Sequence, residues 1–328
     1  MRVFVAPASP LDHAPSLAET CAPILKGEPA VSDTSAASPL IILDGGTGRE
    51  LNRIGAPFEQ PEWSALALIE GPEFVSRVHQ SYVDAGADVI TTNSYAVVPF
   101  HIGEERFAAR GHELAALAGK LARDVADAAP RKITVAGSLP PICGSYRPDL
   151  VDIDRARPIL AVLVEALAPY VDQWQAETLS SLIEAKLVAE LVKPTGKPLW
   201  LSFTLEDAHP DGEPRLRSGE SVTEAAKLAQ DLGASAILFN CSQPEVMAAA
   251  VRAAHAAASL PVGVYANAFP PMDEEAEANA GLSEIRADLD PAGYAAFARG
   301  WAGEGATILG GCCGIGPEHI AALRALTA

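Results

Sequence analysis

The sequence predicts an α/β protein whose parallel strands close into a barrel. Three observations support this: from Leu40 onward short β-branched runs alternate with amphipathic stretches rich in Ala, Leu and Glu, eight such pairs follow one another, and several of the β-branched runs are almost entirely apolar. Alternating strand and helix patterns indicate parallel strands joined by crossover helices, and strands covered on both faces are apolar. Eight units favour a single-domain (β/α)8 TIM barrel.

The eight predicted strands cover residues 40–43, 88–92, 132–137, 172–176, 198–203, 235–240, 261–266 and 306–310. Helix starts support this register. Capping boxes are expected at 181–184 and 221–224, where Glu follows Ser by three positions, and Pro291 and Pro317 stand at first helical positions. The alternative fold, an open doubly wound sheet, would carry a G-x-G-x-x-G turn, which the sequence lacks.

The barrel is expected over residues 39–328, preceded by a loosely ordered N-terminal tail over 1–38 that is rich in Pro, Ala and Ser. Two stretches interrupt the regular spacing, 206–220 after the fifth strand and 268–288 after the seventh. Both follow carboxyl ends of strands, the face on which barrels build active sites, so they are candidate lids or pocket walls. Solvated acidic insertions without a role are an equally good interpretation.

The net negative charge of the chain argues against some classes of binding partner. The net charge of −18 would repel phosphate backbones and anionic lipid heads, so we expect no nucleic acid and no membrane partner, and a neutral or cationic small molecule fits better. No apolar run reaches the roughly 20 residues that span a bilayer. Five cysteines, an odd number with one adjacent pair, favour a reducing cytoplasmic compartment over a disulfide framework.

Polar and sulfur-bearing residues stand where the predicted strands end. In strand order they are Asp44, Asn93, Ser138, Glu177, Thr204, Cys241, Asn267 and the pair Cys312–Cys313. Closing the barrel brings them toward one mouth, so cysteines far apart in sequence can converge. Three thiolates suit zinc and leave its fourth tetrahedral position open, as in catalytic sites. Glycines at 310, 311 and 314 would let both adjacent cysteines turn inward.

Two alternatives to this zinc site stay open. The adjacent Cys312 and Cys313 could be a reactive dithiol or two small buried residues. Cys143, just after the third strand, could add a fourth thiolate and make the site structural, although a free thiol is the preferred interpretation. The histidines show no H-x-x-x-H or H-x-H spacing and offer no competing metal site.

Two carboxylates share the predicted mouth with the cysteines. Asp44 and Glu177 could hold an amino group by charge-assisted hydrogen bonds. The simpler interpretations are that Asp44 forms a turn with the glycine after it and that Glu177 favours the start of the next helix. Among the aromatic residues we select Tyr95 as a face for a sulfonium cation, although most aromatic side chains only pack.

Several segments carry a resemblance to a known family. They read LDGGTGRELNRIG (43–55), GADVITTNSY (86–95), VAGSLPP (135–141), AETLSSLIEA (176–185), FNCSQPE (239–245), GVYANA (263–268) and GGCCGIGPEHI (310–320). Over about 40–325 the chain resembles the homocysteine S-methyltransferases, which have a zinc-bearing barrel.

The resemblance implies site residues. It implies that Cys241, Cys312 and Cys313 bind zinc and that Asp44 and Glu177 contact the amino-acid end of homocysteine. Asn93 and Tyr95, within GADVITTNSY, are candidates for further substrate contacts. The Glu–Thr pair at 177–178 is similar to the bacterial and plant enzymes that use S-methylmethionine or S-adenosylmethionine, and less similar to the betaine-using branch.

The predicted function is therefore zinc-dependent transfer of a methyl group from a sulfonium donor to the thiol of homocysteine, which gives methionine. The expected cofactor is Zn²⁺, and the expected partners are homocysteine and S-methylmethionine or S-adenosylmethionine. The alternative is a non-catalytic zinc-binding protein, or a thiol redox or sensor protein, on the same barrel.

Overall fold

The computed structural model describes residues 40–208, 210–270 and 285–327. The predicted tail over 1–38 lies outside the described residues. So do residues 271–284, the greater part of the 268–288 stretch. Within the described parts of the chain, no helix is long and apolar enough to cross a bilayer.

Eight parallel strands form one sheet in the order β1-β8-β7-β6-β5-β4-β3-β2. They are β1 (Ile41–Ile42), β2 (Val89–Thr91), β3 (Thr134–Leu139), β4 (Gln173–Leu179), β5 (Leu199–Phe203), β6 (Ala236–Asn240), β7 (Val262–Tyr265) and β8 (Ala306–Leu309). A parallel bridge between Leu43 and Val89, with the Asp44 amide donating to the Val89 carbonyl at 3.0 Å, joins β1 to β2 and closes the barrel. The predicted (β/α)8 TIM barrel is confirmed.

The helices surround this sheet. They are α1 (Thr47–Arg53), α2 (Ser64–Glu70), α3 (Pro72–Ala85), α4 (Pro99–Ile102), α5 (Glu104–Ala128), α6 (Ile153–Leu167), α7 (Leu182–Val192), α8 (Val222–Asp231), α9 (Pro244–Ala257), α10 (Pro291–Gly303) and α11 (Pro317–Arg324). The first βα unit departs from the simple alternation because α1 and α2 precede its crossover helix α3, which places two additional helices beside the barrel mouth.

Local signals for strand and helix ends are mostly confirmed. Ser221 forms the expected capping box with Glu224, and Pro291 and Pro317 start α10 and α11. The capping box expected at Ser181 is wrong, because its hydroxyl donates to the Glu184 carboxylate and does not accept from the helix backbone. That carboxylate also accepts the Ser180 amide at 3.0 Å, so it still covers the helix start.

The end of one strand differs from the prediction, and this difference matters for the site. The sequence predicts that strand β4 stops at residue 176, but the strand continues to Leu179 through a shift in register between Ala176 and Leu179. An irregularity of this kind re-aims the side chains that it carries. Glu177 therefore lies within the strand and is directed by the bulge.

The apolar residues pack in two layers. The larger cluster fills the space between strands and helices, and a smaller one consists of Leu43, Val89, Ala136, Trp200, Ala236, Leu238, Tyr265 and Ile308. Along the strands its members alternate with those of the outer cluster, as Ile42 and Leu43 do, so the smaller cluster fills the barrel interior. Cys312 packs against it, which places this sulfur site at the end of the interior core.

Candidate metal centre and substrate-binding mouth

Three sulfur atoms converge at the mouth of the barrel. Cys241 follows β6, and Cys312 and Cys313 follow β8, with β7 between them. Their Sγ atoms all lie within 4.8 Å of one another, and those of the adjacent pair are 4.0 Å apart. The fold therefore brings together the three cysteines that the sequence placed at strand ends.

The loop that carries the cysteine pair lies against the turn after β1 with no space for extra side chains. A Cβ on Gly46 would stand 2.6 Å from the Cys312 carbonyl oxygen, and one on Gly311 would collide with the side chain of Ile315. Backbone hydrogen bonds connect the two segments, from the Gly46 amide to the Ile315 carbonyl at 2.9 Å and from the Gly311 amide to the Asp44 carbonyl at 3.0 Å. This close approach requires glycine at both positions.

An unusual backbone conformation, supported by a buried side chain, fixes the position of Cys241. Cys241 and Thr178 both have left-handed backbone conformations, with φ of 49° and 60°, which cost energy for residues with a Cβ. The buried carboxamide of Asn240 connects them: its oxygen accepts the Thr178 amide at 2.9 Å and the Ser202 hydroxyl at 2.8 Å, and its nitrogen donates to the Thr178 hydroxyl at 2.9 Å. One side chain thus fixes the bulge beside Glu177 against the strand that presents Cys241.

The donor set fits zinc. Two sulfurs on one tetrahedral zinc lie about 3.8 Å apart, given Zn–S distances of about 2.3 Å, and the Cys312–Cys313 separation of 4.0 Å is close to this value. Cys241 and Cys312 are joined as a disulfide in this structure, with Cα atoms 5.7 Å apart. Only thiolates bind zinc, so the disulfide and the metal site are alternative states of the same sulfurs.

The remaining thiol of the cluster is protonated when no cation is bound. Burial raises the pKa of Cys313 to about 11, the charge of Glu177 adds to the rise, and the nearby Arg49 guanidinium opposes it. A divalent cation would have to displace this proton, as is usual for thiol ligands.

Cys143 does not belong to this group. It is a free cysteine after β3, and its Sγ contacts the Asp152 carbonyl oxygen at 3.9 Å. It lines a small cavity with Leu179 and Glu184 and is not among the grouped sulfurs. The described residues therefore bring three thiols together and leave the fourth apart.

Asp44 lies at the mouth end of β1 and is 5% exposed. Its carboxylate accepts the Thr91 amide at 2.6 Å and the Thr91 hydroxyl at 3.0 Å. Burial raises the pKa of Asp44 to about 7, because desolvation outweighs these hydrogen bonds and the charge of Glu177 adds to the rise. The two carboxylates therefore act on each other across the mouth.

Glu177 reaches the mouth from the bulge of β4. The Ser138 hydroxyl donates a short hydrogen bond to its Oε1, and the Tyr265 hydroxyl lies 3.5 Å from its Oε2. Burial raises the pKa of Glu177 to about 6 despite these donors. Two desolvated carboxylates in one pocket favour a cationic group between them. Of their partners, Thr91 and Tyr265 were not recognised from the sequence, although Tyr265 stands at the end of a strand.

Asn93 and Tyr95 follow β2, at the same end of the barrel. The Asn93 carboxamide nitrogen donates to the Ser64 carbonyl at 3.0 Å, which fixes the start of α2. The Tyr95 hydroxyl is hydrogen-bonded to Ser145, and its ring meets Trp63 edge to face at 6.1 Å. Burial raises the pKa of Tyr95, so this hydroxyl stays neutral.

Sequence reasoning missed a cluster on the other side of the mouth. Arg217, in the 206–220 stretch, places its guanidinium 5.0 Å from the ring centroid of Tyr146 and donates to Asp207 at 2.7 Å. The side chain of Asp207 is 0% exposed and that of Arg217 is 10% exposed. Nothing local marked this pair, because its loop has the charged composition of a solvated insertion.

Part of the stretch after β5 borders the mouth, where Asp207 and Leu216 are buried, whereas residues 210–213 are exposed. Leu216 is fully buried and bridges to Leu205, so the segment folds back on its own start. The stretch after β7 stays a prediction, because residues 271–284 lie outside the described parts of the chain. Its described beginning places Phe269 under the Arg49 guanidinium, 5.3 Å from the ring centroid.

These features define a class of protein. A parallel (β/α)8 barrel presents three converging sulfurs beside two desolvated carboxylates, at the end where barrels carry active sites. The sulfurs offer a site for a soft or borderline metal, and the carboxylates a site for a cation. The arrangement is that of a barrel enzyme for a small amino-bearing substrate.

Comparison with known proteins identifies the family. Residues 41–327 match the model of the homocysteine S-methyltransferase family. The chain is 33% identical to homocysteine S-methyltransferase of Escherichia coli over 87% of its own length and 94% of the relative's. It is 30% identical to homocysteine S-methyltransferase YbgG of Bacillus subtilis over 88% and 94% of the two chains.

A solved structure agrees with this match. The metallated form of the homocysteine methyltransferase MmuM from Escherichia coli superposes with a TM-score of 0.70 and 28% identity, covering 88% of this chain and 96% of that one. The chain belongs to the homocysteine S-methyltransferase family, whose members are enzymes of methyl transfer to homocysteine. This membership supports the enzyme over the alternative of a non-catalytic zinc or thiol-sensor protein.

Proposed function

We propose that the chain transfers a methyl group from a sulfonium donor, S-methylmethionine or S-adenosylmethionine, to the thiol of homocysteine and releases methionine. The observation that carries this proposal is the meeting of three cysteine sulfurs with two carboxylates of raised pKa at one mouth. Homocysteine has one thiol and one ammonium group, and this mouth has a complement for each.

Cys241, Cys312 and Cys313 would hold zinc once the disulfide is reduced, with one tetrahedral position left for the substrate. When bound, zinc supplies a positive charge that favours the thiolate form of a thiol at neutral pH. Because three thiolates need a reducing environment, we assign the protein to the cytoplasm.

Asp44 and Glu177 would bind and orient the ammonium group of homocysteine. With pKa values of about 7 and about 6, the empty pocket is partly protonated at neutral pH, mainly on Asp44, and an arriving ammonium would lower both pKa values and release that proton to solvent. Two anchors on different strands would fix the direction of the substrate, so that its sulfur stands at near-attack distance from the donor methyl. Asn93 Oδ1 and the Tyr95 ring are the further contacts we propose.

The direct experiment is methionine formation from homocysteine by reduced, zinc-loaded protein, with S-methylmethionine, S-adenosylmethionine and betaine offered separately. We expect product with at least one of the two sulfoniums and none with betaine. Absence of product with both sulfoniums, in protein that retains one zinc per chain, would contradict the proposed function.

The ligand assignment has its own test. Cys312→Ala should weaken zinc binding by more than about 100-fold, because losing a ligand costs more than the 10- to 100-fold effect of losing an outer partner, and methionine formation should fall with it. Cys143→Ala is the matched control and should keep both, since Cys143 lies outside the sulfur group. Metal content after dialysis under reducing conditions measures the effect. A Cys312→Ala protein with a full zinc equivalent and normal turnover would refute the assignment.

A further inference from the structure

We propose that Arg217 binds the carboxylate of the methyl donor and thereby selects sulfoniums of α-amino acids. This inference rests on the proposed function, because it assigns a subsite to the donor of that reaction. It arises from the ion pair between Arg217 and Asp207, two residues that carry no role in the zinc or homocysteine sites described above.

The ion pair lies beside the sulfur cluster. The Arg217 Nε contacts the Thr204 hydroxyl at 3.5 Å, and that hydroxyl lies 3.4 Å from the carbonyl oxygen of Cys241. Under the guanidinium lies the Tyr146 ring, and Cys313 and Tyr95 are near enough to it that a negative charge on either would raise the pKa of the Tyr146 hydroxyl. Arg217 therefore borders the space in which a donor would approach the sulfurs.

Two oxygens hold the guanidinium, that of the Thr204 hydroxyl at Nε and one carboxylate oxygen of Asp207 at Nη2. Arg217 Nη2 donates to Asp207 Oδ1 at 2.7 Å, and the Gln243 amide donates to Asp207 Oδ2 at 3.2 Å. Within the parts of the chain that the structure describes, Nη1 donates to no group, and the side chain keeps 10% of its exposure. A guanidinium can bind a carboxylate through two parallel N–H groups, and here that edge is left for a ligand.

The charge of the pair suits a sulfonium substrate. A lone arginine would repel the positive sulfur, but the buried carboxylate of Asp207 neutralises Arg217 while leaving its N–H donors in place. Burial of such an ion pair adds little to the stability of the fold. Its position at the mouth is therefore better explained by binding of a ligand. S-Methylmethionine and S-adenosylmethionine both carry an α-carboxylate a few bonds from the sulfonium.

The test is a cycle of two enzymes and two donors. The donor that supports turnover is compared with its own carboxamide, which keeps the sulfonium and the amino group and removes the negative charge. We expect wild-type protein to prefer the carboxylate by about 10- to 100-fold in kcat/KM, the range for charged hydrogen bonds, and Arg217→Gln to lose this preference. The KM for homocysteine should not change.

Arg215→Gln is the matched control, since Arg215 lies two residues away, is 48% exposed and pairs with Glu213. It should keep the wild-type preference. Arg217→Lys keeps the charge without the planar fork and should show a reduced preference, which provides a second variant if the glutamine variant does not fold. An equal preference in wild type and Arg217→Gln, or a change confined to the KM for homocysteine, would overturn the inference while leaving methyl transfer intact. No turnover with either sulfonium would instead overturn the proposed function.

Discussion

Burial of the Asp44 carboxyl, a proposed substrate contact, lowers the stability of the folded protein at neutral pH. Its pKa is raised to about 7 by burial, so the folded state favours the protonated form. A carboxyl whose pKa is raised on folding stabilises the protein below its unfolded pKa of about 4 and loses that contribution as pH rises toward 7. At the pH of the reaction the empty site therefore contains a destabilising charge.

Asp44→Asn should remove this charge with its hydrogen bonds kept. The new carboxamide oxygen can accept the Thr91 amide while its nitrogen donates to the Thr91 hydroxyl. We expect a gain in unfolding free energy of up to about 4 kcal/mol at pH 8 that disappears near pH 4, together with a loss of homocysteine binding. Urea unfolding at both pH values and isothermal titration measure the two effects.

The exposed Asp231→Asn is the control for this substitution and should change neither quantity. The stability difference between Asp44→Asn and wild type is compared at the two pH values. If the variant gained less unfolding free energy over wild type at pH 8 than at pH 4, the buried charge of Asp44 would not be what destabilises the wild type.

At the scale of elements, the site is made by contacts between segments that follow different strands. The turn after β1 lies against the loop after β8 through glycine backbones, and Asn240 on β6 holds the bulge of β4. Each contact fixes one functional group, the cysteine pair in the first case and Glu177 in the second. The position of each of these side chains therefore depends on a contact between two elements and not on its own strand alone.

Gly46→Ala tests the first of these contacts. Gly46 has φ of −71°, which alanine adopts without strain, so any effect comes from the Cβ against the Cys312 carbonyl oxygen at 2.6 Å. Overpacking of this kind costs about 1–3 kcal/mol, and we expect zinc affinity to fall by about 10-fold or more because the cysteine pair must shift. Competition with a chelator of known affinity measures it.

Gly300→Ala is the matched control, since a Cβ there would meet nothing within 4 Å and the residue lies inside α10. Both variants should unfold cooperatively. Unchanged zinc affinity in Gly46→Ala would show that the loop can yield without disturbing its cysteines.

At the scale of the whole molecule, a buried histidine ties stability to pH. His79 on α3 is 0% exposed, and neither of its ring nitrogens has a hydrogen-bond partner among the described residues. Burial lowers the pKa of His79 to about 4. Above the unfolded pKa of about 6.5 both states are neutral, and as pH falls below it only the unfolded state gains the proton. Acid therefore favours unfolding.

His79→Leu should flatten this dependence. Between pH 7.5 and pH 4.5, the wild type should lose about 2–3 kcal/mol of unfolding free energy through His79, and the leucine variant should not. The exposed His112→Leu on α5 is the control and should retain the wild-type slope. Denaturant unfolding at a series of pH values measures the difference, and identical slopes in wild type and His79→Leu would contradict this origin.

The sequence by itself determined the barrel and the residues that stand at its mouth. Strand and helix periodicity is local, and in a closed parallel barrel every strand end reaches the same face. Asp44, Cys241 and the Cys312–Cys313 pair could therefore be placed without coordinates, and their sulfurs do converge.

Only the tertiary structure decided how those residues are held and what stands beside them. Asn240 bonds to Thr178 across 62 positions, and the guanidinium of Arg217 covers Tyr146 although both are ordinary surface types in sequence. Burial, pKa and hydrogen-bond partners depend on segments that meet only after the barrel closes, and no local pattern encodes them. For that reason the sulfur site could be predicted from its strand ends, whereas the bulge that directs Glu177 and the pair of Asp207 and Arg217 could not.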